Sequence, residues 1–385
     1  MSNQKIRVLI VEDSPVAVLI LKRILNSCPD IEVVGTAVNG IEGLAILQKV
    51  DPNVICTDLH MAQMDGLEFT KEVMKKYPRP ILVISTSVQE NDQDNVFRLL
   101  AAGAVDVFPK PQTGLSSDYD EIRQELINRI RVLAGVKVFT IHNHRQNPIQ
   151  LENRSTFSPQ TNTPANTINR VQTSFPSPNN AVAAVTPSQP RAARPIRRQP
   201  IKLIAIGAST GGPQALHTIL TQLPANLKVP VVCVQHISEG FLQGLVSWLA
   251  IDCALPIKIA KPGEIPLAGN IYFAPDRHHL ELDSRGCFAC SIAPPVGGHR
   301  PSVTTTFNSV AKFYGAGVAG ILLTGMGRDG ADGLLSISKA GGFTIAQDEA
   351  SSVVFGMPKE AIALGAAQYV LNLTSMVPLI LNYVN

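Results

Sequence analysis

Charge is scarce in this chain. Asp, Glu, Lys and Arg make up 16% of 385 residues, and 33 basic side chains against 30 acidic ones leave a net +3. That excess is too small on this length for a histone-like coat on a polyanion. Aromatic residues are few, at 5%, so the 45% hydrophobic fraction is largely aliphatic, the balance of an Ala/Val/Ile/Leu-rich α/β protein and not of a disordered chain. No apolar run approaches the ~20 residues that span a bilayer, and the N-terminus reaches Glu12 and Asp13 too early for a signal peptide. No membrane insertion and a cytoplasmic location are therefore expected. The six cysteines (Cys28, Cys56, Cys233, Cys253, Cys287, Cys290) are scattered, several inside apolar runs where a free thiol behaves as a small hydrophobe, which favours a reducing compartment. Cys287 and Cys290 form a lone C-x-x-C without the second pair that a zinc ribbon needs, so a hairpin turn is the better reading.

What is present divides in three. Residues 151–200 hold 8 Pro, no Gly and 21 Asn, Gln, Ser or Thr, leaving little apolar surface to offset ordering entropy. Extended to 137–200, the stretch carries a net +7 and the other 321 residues a net −4. It reads as a basic linker; the cluster Arg191, Arg194, Arg197 and Arg198 is assigned no function. Before it, apolar runs at Arg7–Val11, Val54–Thr57, Ile81–Ser85 and Ala104–Phe108 alternate with helically spaced segments such as Val16–Leu25 and Ile41–Leu47. After it, Ile201–Ile206, Val229–Gln235 and Val318–Thr324 are unbroken apolar strands of the kind buried on both faces. Between them, alternation at Ile271, Phe273, Leu280 and Leu282 predicts an antiparallel hairpin within Ile257–Leu282. Phe241, Leu245 and Trp248 follow helical spacing and are read as core or interdomain packing.

In the first half, Glu12 and Asp13 follow the first strand and Asp58 follows Val54–Thr57, at the strand ends where doubly wound sheets bind ligands. Three converging carboxylates suit Mg²⁺, which takes one or two acids and leaves room for phosphate oxygens. Ser85 ends the next apolar run, and Lys110 ends the one after, where its ammonium reaches the same crevice. Taken singly, Asp13 is also a good helix cap and Asp58 a turn residue; the joint pattern favours a site.

In the second half, IKLIAIGASTGG runs from a buried strand into a Gly-rich turn, with Pro213 placed to start a helix. Ser209 sits at that turn, near helix N-terminal N–H groups, as a candidate nucleophile. The spacing is G-x-x-x-G-G and the next strand ends in Gln235 and His236 where a ribose-binding acid is expected, so a dinucleotide site is disfavoured. A third strand is followed by Asp329, which is also placed to cap a helix from Ala331. His236 would deprotonate Ser209 and Asp329 would orient the imidazole; the order Ser, His, Asp and the absence of G-x-S-x-G set this apart from the ordinary esterase fold.

On the segments VEDS, TDLHMAQMDG, IST and FPKP, residues 5–135 resemble the response-regulator receiver domain. On IAIGASTGG, VQH, APDRHHLEL, HRPSV, LLTGMGRDGADG and IAQDEASSVVFGMPKEA, the chain as a whole resembles the chemotaxis protein-glutamate methylesterases. The resemblance implies a flavodoxin-like (βα)5 receiver at 1–136, a flexible linker at 137–200 and a doubly wound, mainly parallel α/β catalytic domain with a hairpin at 201–385. It implies that Asp58 takes a phosphoryl group from a sensor histidine kinase, that Glu12, Asp13 and Asp58 hold Mg²⁺, and that Ser85 and Lys110 couple the phosphate to the rest of the domain, with Thr86 competing for the hydroxyl role. It places the triad on Ser209, His236 and Asp329, acting without a cofactor on glutamate methyl esters of chemoreceptors, with glutamine deamidation in some members. Backbone N–H groups of Thr210 and Met326 are oxyanion candidates, and Thr210, His279 and Arg300 line motifs that could meet the receptor. Two departures stand out: Ala62 where receivers commonly have Pro, and Thr304 where the esterases usually have Asp. A phosphorylation-gated scaffold with an inactive output domain is the alternative. Nucleic-acid binding is not expected, since the second half has no basic recognition helix.

Overall fold

The computed structural model describes residues 5–86, 90–111, 119–136, 138 and 199–384. The expected linker, 137–200, thus lies outside the described residues except for 138, 199 and 200. In the first half, β1 (Ile6–Val11), α1 (Pro15–Asn26), β2 (Ile31–Ala37), α2 (Gly40–Val50), β3 (Val54–Thr57), α3 (Gly66–Lys76), β4 (Ile81–Ser85), α4 (Glu90–Ala101), β5 (Asp106–Pro109) and α5 (Tyr119–Ala134) alternate. The sheet is parallel in the order β2-β1-β3-β4-β5, the flavodoxin-like winding. Continuous apolar runs such as Val54–Thr57 and Ile81–Ser85 are buried at every position, because helices cover both faces. Helices start where short polar side chains take up otherwise unpaired N–H groups: Ser14 caps α1, Asn39 caps α2 and Asp65 caps α3.

The second half contains β6 (Leu203–Ala208), α6 (Gly212–Leu220), β7 (Val231–Gln235), α7 (Leu242–Asp252), β8 (Ile257–Ile259), β9 (Ile271–Phe273), β10 (His279–Leu282) and β11 (Phe288–Ser291). It continues with α8 (Val303–Tyr314), a 3-10 turn, β12 (Val318–Leu322), α9 (Ala331–Lys339), β13 (Phe343–Gln347), α10 (Met357–Ala363), β14 (Tyr369–Leu371) and α11 (Leu373–Leu381). Seven strands form one parallel sheet, β14-β13-β12-β6-β7-β9-β8, with β10-β11 apart as an antiparallel pair. The expected hairpin is therefore corrected: Ile271 and Phe273 lie in the large sheet, and His279–Leu282 pairs with Phe288–Ser291. Alternation shows which positions share a face but not which strand is the partner, and the turn chemistry of Asp283–Cys287 fixes that. Cys287 and Cys290 are free thiols in this hairpin.

Winding reverses between β6 and β12, which opens a crevice at their carboxyl ends. The half closes on itself where the Ile201 N–H donates to the Tyr383 carbonyl at 3.1 Å. Described residues on either side of 139–198 belong to one compact unit. Phe97 of α4 stacks on Trp248 of α7, with centroids 5.8 Å apart and planes 19° apart, and Trp248 also stacks on His217. Trp248 is thus buried in packing, as the expectation of a core or interdomain role had it. The Gln214 amide nitrogen donates to the carbonyls of Ala104 (2.6 Å) and Leu100 (3.4 Å). Among the described residues no helix is long and apolar enough to cross a membrane.

Candidate functional sites

At the carboxyl edge of the first sheet, carboxylate oxygens of Glu12, Asp13 and Asp58 lie within 4.8 Å of one another. Ser14 and not Asp13 caps α1, which leaves the Asp13 carboxylate exposed at the crevice. Asp58 follows β3, with Oδ1 accepting from the Leu59 N–H at 2.7 Å and Oδ2 from Lys110 Nζ at 2.8 Å. Gly66 makes room for this turn, since a Cβ there would stand 2.1 Å from the Asp58 carbonyl oxygen. Lys110 also reaches the buried Glu12 carboxylate, donating to Oε1 at 3.0 Å and standing 3.0 Å from Oε2 as its ion-pair partner. Burial, then the Asp58 charge, push the Glu12 carboxyl above its usual range against the pull of Lys110. Three acids this close together, one of them with its carboxylate exposed at the crevice, fit a divalent cation. Ser85 is buried at the end of β4 and Thr86 is exposed. Ala62 is exposed in the loop after Asp58, next to Gln63 at φ 67°.

In the second half, β6 delivers Ser209, β7 delivers His236, and the loop after β12 delivers Asp329. His236 Nε2 meets Asp329 Oδ2 at 2.9 Å, with both side chains largely buried. Asp329 does not cap its own helix, whose N-cap is Gly330. Its carboxylate sits instead at the start of α8, accepting from Ser302 Oγ (2.8 Å) and from the N–H groups of Val303 (2.7 Å) and Thr304 (3.0 Å). Burial alone would raise its pKa, but the hydrogen bond and charge of His236, with Thr304, hold the carboxyl well below the usual range; the helix terminus favours the same anion. In the neutral imidazole, Nε2–H pointing at the ionised Asp329 leaves the lone pair on Nδ1. His236 Nδ1 is buried and has no hydrogen-bond partner among the described residues.

No hydrogen bond joins Ser209 Oγ to His236 in the structure. The two residues are tied through Gln235, whose amide nitrogen donates to the carbonyls of Ser209 and His236, each at 2.8 Å. Gly325 packs against the nucleophile candidate, since a Cβ there would lie 2.6 Å from Ser209 Cβ. Thr210 and Met326 flank that contact, and their N–H groups have no acceptor among the described residues. A cleft of about 380 Å³ adjoins Met326, bounded by Val353, Phe355, Val132 and Val136. The Thr210 side chain is buried against the first half, where its hydroxyl donates to Asp106.

His279 stands otherwise than expected. His279 is buried, with Nε2 bonded to the Pro294 carbonyl and Nδ1 accepting from the Ser302 N–H, so neither ring nitrogen is left for a substrate. Arg300 is half-buried, and its Nη1 donates to the carbonyls of Ile292 and Ala293. Thr304 supports Asp329 through its N–H, and its hydroxyl accepts from the Gly330 N–H at 2.7 Å. The sequence reading did not single out Ser302, the tie made by Gln235, or His299, although His299 stands inside the quoted HRPSV segment.

An acid-lined receiver crevice beside a parallel domain with a His–Asp pair defines a class: a response regulator whose output half is a hydrolytic α/β domain. Family models for the response regulator receiver domain and for CheB methylesterase match residues 8–116 and 204–380. A protein-glutamate methylesterase/protein-glutamine glutaminase from Nitrosospira multiformis is 37% identical over 98% of this chain and 97% of its own length. One from Methanospirillum hungatei is 38% identical over 94% of each. The crystal structure of the Thermotoga maritima CheB methylesterase catalytic domain is 36% identical, covering 48% of this chain and 99% of that one, at a TM-score of 0.47. The chain belongs to the protein-glutamate methylesterase/protein-glutamine glutaminase family.

Proposed function

We propose that the chain is a phosphorylation-activated protein-glutamate methylesterase of chemotaxis adaptation, divided as receiver 1–136, linker 137–200 and catalytic domain 201–385. The observation that carries the catalytic reading is the buried His236–Asp329 pair, with a free Nδ1, tied through Gln235 to Ser209. Ser209 Oγ attacks the ester carbonyl of a methylated receptor glutamate as His236 Nδ1 takes the hydroxyl proton. Thr210 and Met326 N–H groups receive the oxyanion, and the proton passes to departing methanol. Water, deprotonated by His236, then hydrolyses the glutamyl-enzyme. A glutamine amide could enter the same sequence with ammonia leaving.

Asp58 is the phosphoacceptor for a sensor histidine kinase. Glu12, Asp13 and Asp58 would hold Mg²⁺, which supplies charge neutralisation for the incoming phosphoryl group. Ser85 and Lys110 sense the acyl phosphate. Lys110 now binds the Asp58 carboxylate, and phosphorylation turns that acceptor into a dianion. The unphosphorylated receiver restrains the catalytic half through the contacts at Phe97, Ala104 and Asp106.

The test is methanol release from methylated receptor, with and without a small phosphodonor. Ser209→Ala is expected to lower the rate roughly 10⁴-fold to 10⁶-fold. An unchanged rate would establish the scaffold alternative.

A further inference from the structure

This inference rests on the hydrolase reading above and concerns what holds its general base. The rings of His236 and His299 lie face to face, with centroids 3.9 Å apart and planes 6° apart. Among the described residues His236 has one edge contact, Nε2 to Asp329, while Nδ1 is unpartnered. A single hydrogen bond leaves an imidazole free to rock about that contact, and both edge nitrogens are reserved for chemistry. Only its faces remain for packing. We propose that His299 is a positioning residue for the esterase, fixing the plane of the His236 ring so that Nδ1 is held for the Ser209 hydroxyl.

The segment that carries His299 is braced for this task. Val296 and His299 exchange backbone hydrogen bonds at 3.1 and 3.0 Å across Gly297 and Gly298. Both glycines have positive φ, 59° and 85°, as a two-residue hairpin turn requires. Arg300 grips the carbonyls of Ile292 and Ala293, and His279 holds that of Pro294. His279 and Arg300, two of the three residues expected to meet the receptor, thus brace the loop that carries the stacked ring.

The stack also needs His299 to stay neutral when His236 takes a proton, because two cations at this separation repel. Burial first, then His236 and Arg129, lower the His299 pKa to about 4 against the opposing pull of Asp329. A neutral aromatic face is favourable beside an imidazolium.

The experiment uses the full chain activated with acetyl phosphate, and methanol release from a peptide bearing a glutamate γ-methyl ester. His299→Ala is expected to lower kcat about 10-fold to 100-fold with KM unchanged, and His299→Phe, which keeps a ring on that face, to retain kcat within about threefold. Wild-type kcat in His299→Ala, or an equal loss in both variants, overturns the proposal. Ser209→Ala run in parallel separates the two levels of the argument. If it also keeps full activity, the hydrolase reading fails; if it is inactive while His299→Ala is not, only the stack's role fails.

Discussion

The Thr210 hydroxyl donates to the Asp106 carboxylate at 3.3 Å, so the residue next to the proposed nucleophile is bonded to the last strand of the receiver sheet. Asp106 is itself paired with Arg129 of α5. β5 thus covers the Thr210 side of the turn that carries the proposed nucleophile.

Gln214 tests that cover without opening a core cavity, since its role is a hydrogen bond to Ala104 across the same contact. One neutral hydrogen bond contributes about 1 kcal/mol, so Gln214→Ala should raise hydrolysis by the unphosphorylated chain about fivefold and leave the phosphorylated rate as it is. Methanol release without phosphodonor is the readout; equal rates in the two proteins would remove this contact from the restraint.

Asp329 links catalysis to acid stability. Its carboxyl is held below the ordinary value of ~3.9, so its stabilising contribution is complete above that pH and disappears as pH falls through the folded-state value. Asp329→Asn should cost about 2–4 kcal/mol at neutral pH, because three donors at the start of α8 lose their anion, and should lower kcat about 10⁴-fold. Denaturant unfolding against pH should show the gap between variant and wild type narrowing below about pH 4. A constant gap down to strongly acidic pH would contradict the assignment.

Glu12 has the opposite sign. Its raised pKa means that folding favours the protonated carboxyl, a contribution present at low pH and lost as pH rises through the folded value. Glu12→Gln should therefore raise Tm in the absence of divalent cations. The same change should slow Mg²⁺-dependent phosphorylation at least about tenfold, and chelation should abolish activation in wild type while sparing basal hydrolysis. Calorimetry with chelator present, and phosphodonor-driven activation without it, decide the matter.

Gly212 tests the tie between nucleophile and base. A Cβ there would stand 2.0 Å from Gln235 Oε1, so Gly212→Ala must displace the amide that holds the Ser209 and His236 carbonyls. The expected result is a roughly tenfold fall in kcat with KM little changed. Steady-state kinetics with normal parameters would show that the tie is dispensable.

Strand positions were legible in the sequence because buried parallel strands are unbroken apolar runs, and their ends located Asp58, Ser209 and His236. Pairing was not legible: Ile271 and Leu280 carry the same alternation yet belong to different sheets. Spacing placed Asp329 before a helix but could not reveal that its carboxylate serves α8, whose start is far away in the chain. His279 looked available for a substrate because burial depends on tertiary packing, as does the use of both its nitrogens within the protein. His299 left no mark of its own, since stacking on another ring has no sequence period.

The bond from Ile201 to Tyr383 leaves the entry and exit of the esterase half side by side. A graft into another host polypeptide could therefore be attached through either end, or spliced into a surface loop through both, without stretching the sheet. Regulation by proximity would then become a matter of which neighbour is attached and not of which terminus carries it.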